Sequence, residues 1–96
     1  MKKFRVITKE NCSKCIKLKE WLKENNIKFE EWPIEQKWVV DALLTDKIFV
    51  KEFCTLDSCS VYTPLIYLID EGKYYFKEIF GINGLRVEFL KNLLEI

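Results

Sequence analysis

The stretch Phe4-Arg5-Val6-Ile7-Thr8-Lys9-Glu10-Asn11-Cys12-Ser13-Lys14-Cys15 decides the fold. Phe4, Val6 and Thr8 alternate with Arg5 and Ile7, a period of two that predicts a strand. Beyond it, Cys15, Leu18 and Leu22 recur at helical spacing with Trp21 beside them, which predicts a helix over about 13–25. Lys14, Lys17, Lys19 and Lys23 fill the remaining surface of that helix. Asn11 is the candidate cap, and Asn25-Asn26 ends the helix. Cys12 and Cys15 therefore stand at a strand-to-helix junction. There, the leading meaning of two cysteines flanking two residues is a dithiol that cycles to a disulfide.

Working outward, Ile27 to Ile34 reads as a second strand, with Pro33 at its end or on an edge. A long helical pattern covers Glu35 to Phe53, and Thr45-Asp46 is the point at which it can divide. Leu56 to Tyr62 is a polar loop. Pro64 then opens Leu65-Ile66-Tyr67-Leu68-Ile69, a continuous apolar run that suits a central strand covered on both faces. Asp70-Glu71-Gly72-Lys73 is a turn, and Tyr74 to Phe80 is the partner strand of a hairpin. Gly81-Ile82-Asn83-Gly84 leads into a last helix, Leu85 to Leu94. The order is β-α-β-α-β-β-α, an α/β class with a four-stranded mixed sheet and three helices. Strand, helix, strand at the start implies a parallel crossover.

The 96 residues suit one domain, 1–96. Hydrophobic residues are 49% of the chain, enough for a compact core. Charged residues are 32%, mixed in sign, with net charge +1, which gives no drive toward nucleic acid or an anionic membrane. The longest apolar run is far too short to span a bilayer, and Arg5 and Lys9 interrupt any leader-like core. A cytoplasmic protein, expected as a monomer, follows. The absence of histidine removes imidazole bases, imidazole metal ligands and Cys-His pairs together.

Cys12, just ahead of a helix, faces unpaired backbone N–H groups and the positive end of the helix dipole. Both favour thiolate, so its pKa is expected to fall below that of a free cysteine, and Lys9 and Lys14 add positive charge. Cys15, one turn on, belongs to the apolar stripe and is expected to be less exposed. Cys12 is thus the attacking thiolate and Cys15 the resolving thiol. The bland reading, inert thiols, accounts for Cys15 but gives no reason for Cys12 at the helix mouth. Pro64, taken alone, is a trans proline starting a strand. A cis bond there would expose the backbone of Thr63 to an extended substrate. Cys54 and Cys59 flank the loop leading to Pro64, and their spacing leaves three readings open. They form a second disulfide, stay reduced, or join Cys12 and Cys15 in a four-cysteine metal site. The aromatic residues, Trp21, Trp32, Trp38 and Tyr74 to Phe76 among them, read as core or sheet-face residues.

Thr8-Lys9 ahead of Cys12-Ser13-Lys14-Cys15, then Tyr62-Thr63-Pro64, then Gly81 and Gly84 before the last helix, give the chain its resemblance to a glutaredoxin, within the thioredoxin superfamily. The match runs nearly the full length, in order and spacing. The resemblance implies the thioredoxin-like fold, a cis Pro64, and exchange with protein disulfides or glutathione mixed disulfides. Glutathione would be a co-substrate, with glutathione or a reductase as electron donor and no resident cofactor. It also implies that Lys9 pairs with a glutathione carboxylate and that the backbone of Thr63 pairs with the glutathione cysteine. Gln36 or Lys37 corresponds to a further carboxylate contact. Two departures stand out: Ser13-Lys14 replaces the family's usual Pro-Tyr, and Gly81-Ile82-Asn83-Gly84-Leu85 lacks its adjacent glycines and the aspartate that follows them. Both point to weak glutathione binding or to another reductant, as in a thioredoxin-like redoxin. A four-cysteine metal module and a redox-inactive interaction domain are the readings of different class.

Overall fold

The computed structural model describes residues 2–96. In chain order the elements are β1 (Phe4–Thr8), α1 (Ser13–Glu24), β2 (Glu30–Pro33), α2 (Lys37–Thr45), α3 (Lys47–Phe53), β3 (Leu65–Leu68), β4 (Lys73–Tyr75), β5 (Phe80–Gly81), β6 (Gly84–Leu85) and α4 (Val87–Leu94). The main sheet has the order β2-β1-β3-β4. β1 runs parallel to β2, with Val6 opposite Glu31, and antiparallel to β3, with Val6 opposite Ile66. β3 and β4 form the expected antiparallel hairpin. Its turn closes through Gly72, whose N–H donates to the Leu68 carbonyl at 2.8 Å from a left-handed φ of 62°.

Alternation along the two central strands sorts the core into two layers. Phe4, Val6, Ile66 and Leu68 face Leu18 and Leu22 of α1 and Leu90 and Leu94 of α4. Ile7 and Leu65 face the other way, onto Val39 and Leu43 of α2 and Phe49 of α3. Each buried Leu or Ile contributes about 1.5–3 kcal/mol relative to exposure, so these two clusters hold the helices on the sheet. The continuous apolar run Leu65–Ile69 is the strand covered on both faces, as its composition requires. Among the described residues, no helix is long and apolar enough to cross a membrane.

Several boundaries differ from the sequence expectation, each for a local reason. Among the described residues there are four helices, not three, because Asp46 leaves the helical region (φ −85°, ψ 113°). Its carboxylate accepts the Ile48 N–H at 2.9 Å and the Tyr74 hydroxyl at 2.6 Å, so one side chain ends α2 and caps α3. Asn11 is not the cap of α1. It takes a left-handed φ of 56°, which asparagine tolerates, and turns the chain so that Cys12 becomes the N-cap. β2 begins at Glu30 rather than Ile27; Ile27 instead closes the end of α1 by donating its N–H to the Leu22 carbonyl at 2.9 Å. β4 stops at Tyr75 because pairing with β3 ends at Ile66, two residues after Pro64. The chain then turns to bury Ile79 completely, and residues 80–85 form a separate two-stranded ribbon, β5-β6. α4 accordingly starts at Val87, after that ribbon, and not at Leu85.

Candidate active site

The end of β1 delivers Lys9, Glu10 and the turn at Asn11, and α1 begins immediately after Cys12. Cys12 Sγ, at the N-cap position, accepts the backbone N–H of Cys15 at 3.1 Å. A sulfur here meets orphan N–H groups and the positive end of the helix, both of which favour the thiolate when the pair is reduced. Cys15 is buried, 1% exposed, while Cys12 is only part-buried. The two are joined as a disulfide with Cα atoms 5.2 Å apart. The expected asymmetry between them is therefore present in the fold.

On the other side of Cys12 lies the segment before β3. The Thr63–Pro64 peptide is cis. The Thr63 carbonyl oxygen lies 3.8 Å and its hydroxyl 3.6 Å from Cys12 Sγ. A sequence separation of 51 residues is thus closed to contact distance, and Pro64 is buried behind the site. Cys12, Cys15, Thr63 and Pro64 form one constellation.

Lys9 stands apart from that contact set. It is exposed and lines a groove of about 310 Å³ with Thr8, Glu10, Lys19, Glu31, Glu35 and Gln36, among others. Gln36, one of the two further carboxylate-contact candidates, is in this groove; Lys37 is not, and pairs with Asp41 at 2.8 Å. Three carboxylates and two ammonium groups share the groove. Glu35 accepts the Glu10 backbone N–H at 2.8 Å. Glu31 accepts from Thr8 at 2.9 Å and from Lys19 at 3.0 Å. Burial works to raise the Glu31 pKa, but the hydrogen bonds from Lys19 and Thr8 outweigh it and hold the carboxyl below its ordinary value.

Cys54 and Cys59 form a second disulfide, facing each other in an isolated antiparallel bridge with Cα atoms 3.9 Å apart. All four cysteines are paired two and two. Among the described residues, no three or more His, Cys, Asp and Glu side chains gather as a metal site. Next to this loop, Phe53, Tyr62, Tyr74 and Phe76 line a groove of about 490 Å³ rimmed by Glu52, Lys77 and Glu78. Tyr62 stacks on Phe76 with ring centroids 4.8 Å apart. The sequence predicts Tyr74 and Phe76 on core or sheet faces and leaves Tyr62 at the end of the polar loop. The usable signal was Tyr62 itself, 49% exposed and adjacent to Thr63. Lys14, between Cys12 and Cys15, sits 5.6 Å above the ring of Phe80, which links the β5-β6 ribbon to the mouth of α1.

No family model matches the chain, and no curated protein matches it. Among solved structures it is similar to the thioredoxin-like protein BC3987, with TM-score 0.60 and 28% identity over 96% of this chain and 100% of that one. A single-residue mutant of BC3987 matches with TM-score 0.60 and 27% identity over 96% of this chain and 99% of that one. The mixed four-stranded sheet flanked by helices is thioredoxin-like, and it carries a CxxC pair at disulfide distance, an arrangement suited to redox chemistry.

Proposed function

We propose that the chain is a thiol–disulfide oxidoreductase that reduces disulfides in polypeptides. The observation that carries this reading is the position of Cys12 Sγ. It lies between the N-terminus of α1, where Cys15 N–H reaches it at 3.1 Å, and Thr63, whose two oxygens lie 3.8 and 3.6 Å away. A thiolate held there is activated on one side and faces backbone on the other, and that backbone can pair with an extended substrate.

The cycle is a pair of exchanges. Cys12 thiolate attacks one sulfur of a substrate disulfide, forms a mixed disulfide and expels the other sulfur as thiolate, which takes a proton. Cys15 thiolate then attacks Cys12 Sγ, expels the second substrate thiolate and closes the Cys12–Cys15 disulfide. Two electrons pass from the protein to the substrate, and an external thiol donor restores the dithiol. Such cycling suits a reducing compartment, in keeping with a cytoplasmic monomer.

The finer, glutaredoxin-like reading concerns glutathione. Lys9 offers an ammonium group for a glutathione carboxylate, and Thr63 offers its backbone. Yet Glu10, Glu31 and Glu35 share the Lys9 groove and repel an anionic ligand. Polypeptide disulfides are therefore the preferred substrates, and glutathione is the weaker partner.

The test is trapping with Cys15→Ser. This variant should accumulate Cys12 in mixed disulfides whose partners mass spectrometry identifies by added mass. Protein adducts support the reading, and a predominance of the glutathione adduct would shift it toward the glutaredoxin form. No adduct on Cys12 after exposure to a disulfide pool would overturn it.

A further inference from the structure

The proposed cycle uses only two of the four cysteines. The other two differ from each other in ways that matter for exchange. Cys54 is half-buried against the core layer of Phe49, Leu65 and Phe53, whereas Cys59 is exposed. Residues 55–62 are all exposed, so apolar burial contributes little to holding this loop. What fixes residues 55–60 besides the disulfide is a short set of hydrogen bonds. Thr55 N–H donates to the Ser58 carbonyl at 2.7 Å, and Ser60 N–H donates to the Phe53 carbonyl at 2.8 Å. Thr55 and Ser58 add two longer contacts through the threonine hydroxyl, at 3.2 and 3.3 Å. Four residues after Cys59 the chain reaches Thr63, which touches Cys12 Sγ. Between them, Tyr62 rests on Phe76 and Phe53, with centroids 4.8 and 6.4 Å away.

We propose that Cys54–Cys59 is a second thiol–disulfide exchange site, opened by a dithiol, and that its redox state sets the freedom of the 60–63 segment facing Cys12. This rests on the exchange function proposed above for Cys12. The chemistry is set by access. A thiolate of the incoming dithiol attacks Cys59 Sγ, the sulfur of the exposed residue, forming a mixed disulfide and releasing Cys54 as thiolate, which takes a proton. The second thiol of the reagent then displaces Cys59. The reagent leaves as its disulfide, two electrons have entered the protein, and both cysteines are thiols. With the clip open, the isolated Cys54–Cys59 bridge loses its covalent tie, and the loop keeps its exposed hydrogen bonds, which open readily, and the packing of Tyr62 on Phe76 and Phe53. Thr63 is then less firmly placed, and exchange at Cys12 slows. A structural staple predicts the opposite: a pair that stays closed as long as the chain is folded.

Three readouts on the full chain decide between these. First, a Cys12→Ser/Cys15→Ser variant is equilibrated in buffers of graded reduced-to-oxidised dithiothreitol, alkylated and weighed, with far-UV circular dichroism recorded alongside. The pair should open while the chain remains folded; a pair that opens only on unfolding overturns the proposal. Second, amide hydrogen exchange at residues 60–63 should quicken by about tenfold once the clip is open, and unchanged rates overturn it. Third, the initial rate at which a peptide thiol opens Cys12–Cys15 in the fully oxidised chain is compared with that of Cys54→Ser/Cys59→Ser. The variant should be slower by about three- to tenfold, and equal rates overturn the control. If the serine pair folds poorly, Cys54→Val/Cys59→Val serves instead, its side chains suiting the apolar layer behind Cys54. A chain whose Cys12–Cys15 disulfide no thiol opens defeats the function of Cys12, while the first two readouts still judge the clip by themselves.

Discussion

Cys12 and Cys15 are held by a helix, and Cys54 and Cys59 by a loop. In the first pair Cys12 caps α1, its partner is 1% exposed, and a distant segment closes over the sulfur at 3.6–3.8 Å. In the second pair the sulfurs bridge two short extended stretches with no helix N-terminus to polarise them, and one whole residue is open to solvent. The difference teaches what makes a disulfide useful for turnover. A helix N-terminus and a neighbouring backbone segment come with the first pair. The second offers only access, which suits it to being modified rather than to modifying others.

The largest expected effect breaks the comparison outright. Cys12→Ser should lower the reduction of a peptide disulfide by on the order of a thousandfold or more, because no other thiolate sits at a helix N-terminus. Turnover that survived in this variant and vanished in Cys54→Ser/Cys59→Ser would reverse the roles assigned to the pairs. Next in size is the stability carried by the second pair. Closing a loop with a sequence separation of 5 restricts the unfolded chain, and its removal should cost about 2 kcal/mol in urea denaturation of the oxidised protein.

Asp46 sharpens the contrast from the structural side. Asp46→Ala removes the N-cap of α3, the helix that leads into Cys54, and should cost about 1 kcal/mol. It should leave the rate of Cys12 alkylation in the reduced protein unchanged, since α1 has its own cap. The smallest effect concerns pH. Burial first, and then the hydrogen bond it donates to Asp46, push the Tyr74 hydroxyl well above its ordinary value of 10.0. A raised folded-state pKa means that the stabilisation is complete below the unfolded value and is lost as pH climbs past it. Urea midpoints should therefore fall above about pH 10, and Tyr74→Phe should flatten that fall. An unchanged slope in the variant would show that Tyr74 does not link pH to stability.

Much of the fold was legible because its signals are local. The alternation of Phe4, Val6 and Thr8, the helical spacing of Cys15, Leu18 and Leu22, and the unbroken Leu65–Ile69 run each point to one element. The misread boundaries lie where a distant partner decides. Asp46 splits the second helix partly by accepting Tyr74, 28 residues away. β4 is cut short because its partner strand starts only after Pro64. The position of Cys12 at a helix mouth and the burial of Cys15 could be read from the sequence. Lys9 could be named but not judged, because Glu31 and Glu35 enter its groove from other elements.

By itself, then, the sequence determined an α/β order and a CxxC pair at the start of an amphipathic helix, because periodicity and capping act over a few residues. The tertiary structure alone decided that Thr63 closes over Cys12 from 51 residues away. It alone decided that carboxylates surround Lys9, and that Cys54 pairs with Cys59 rather than with the first two cysteines. The physical reason is common to all three. Hydrogen bonds, charge repulsion and thiol pairing depend on distances through space, and those distances are set only when the two apolar layers pack on the sheet.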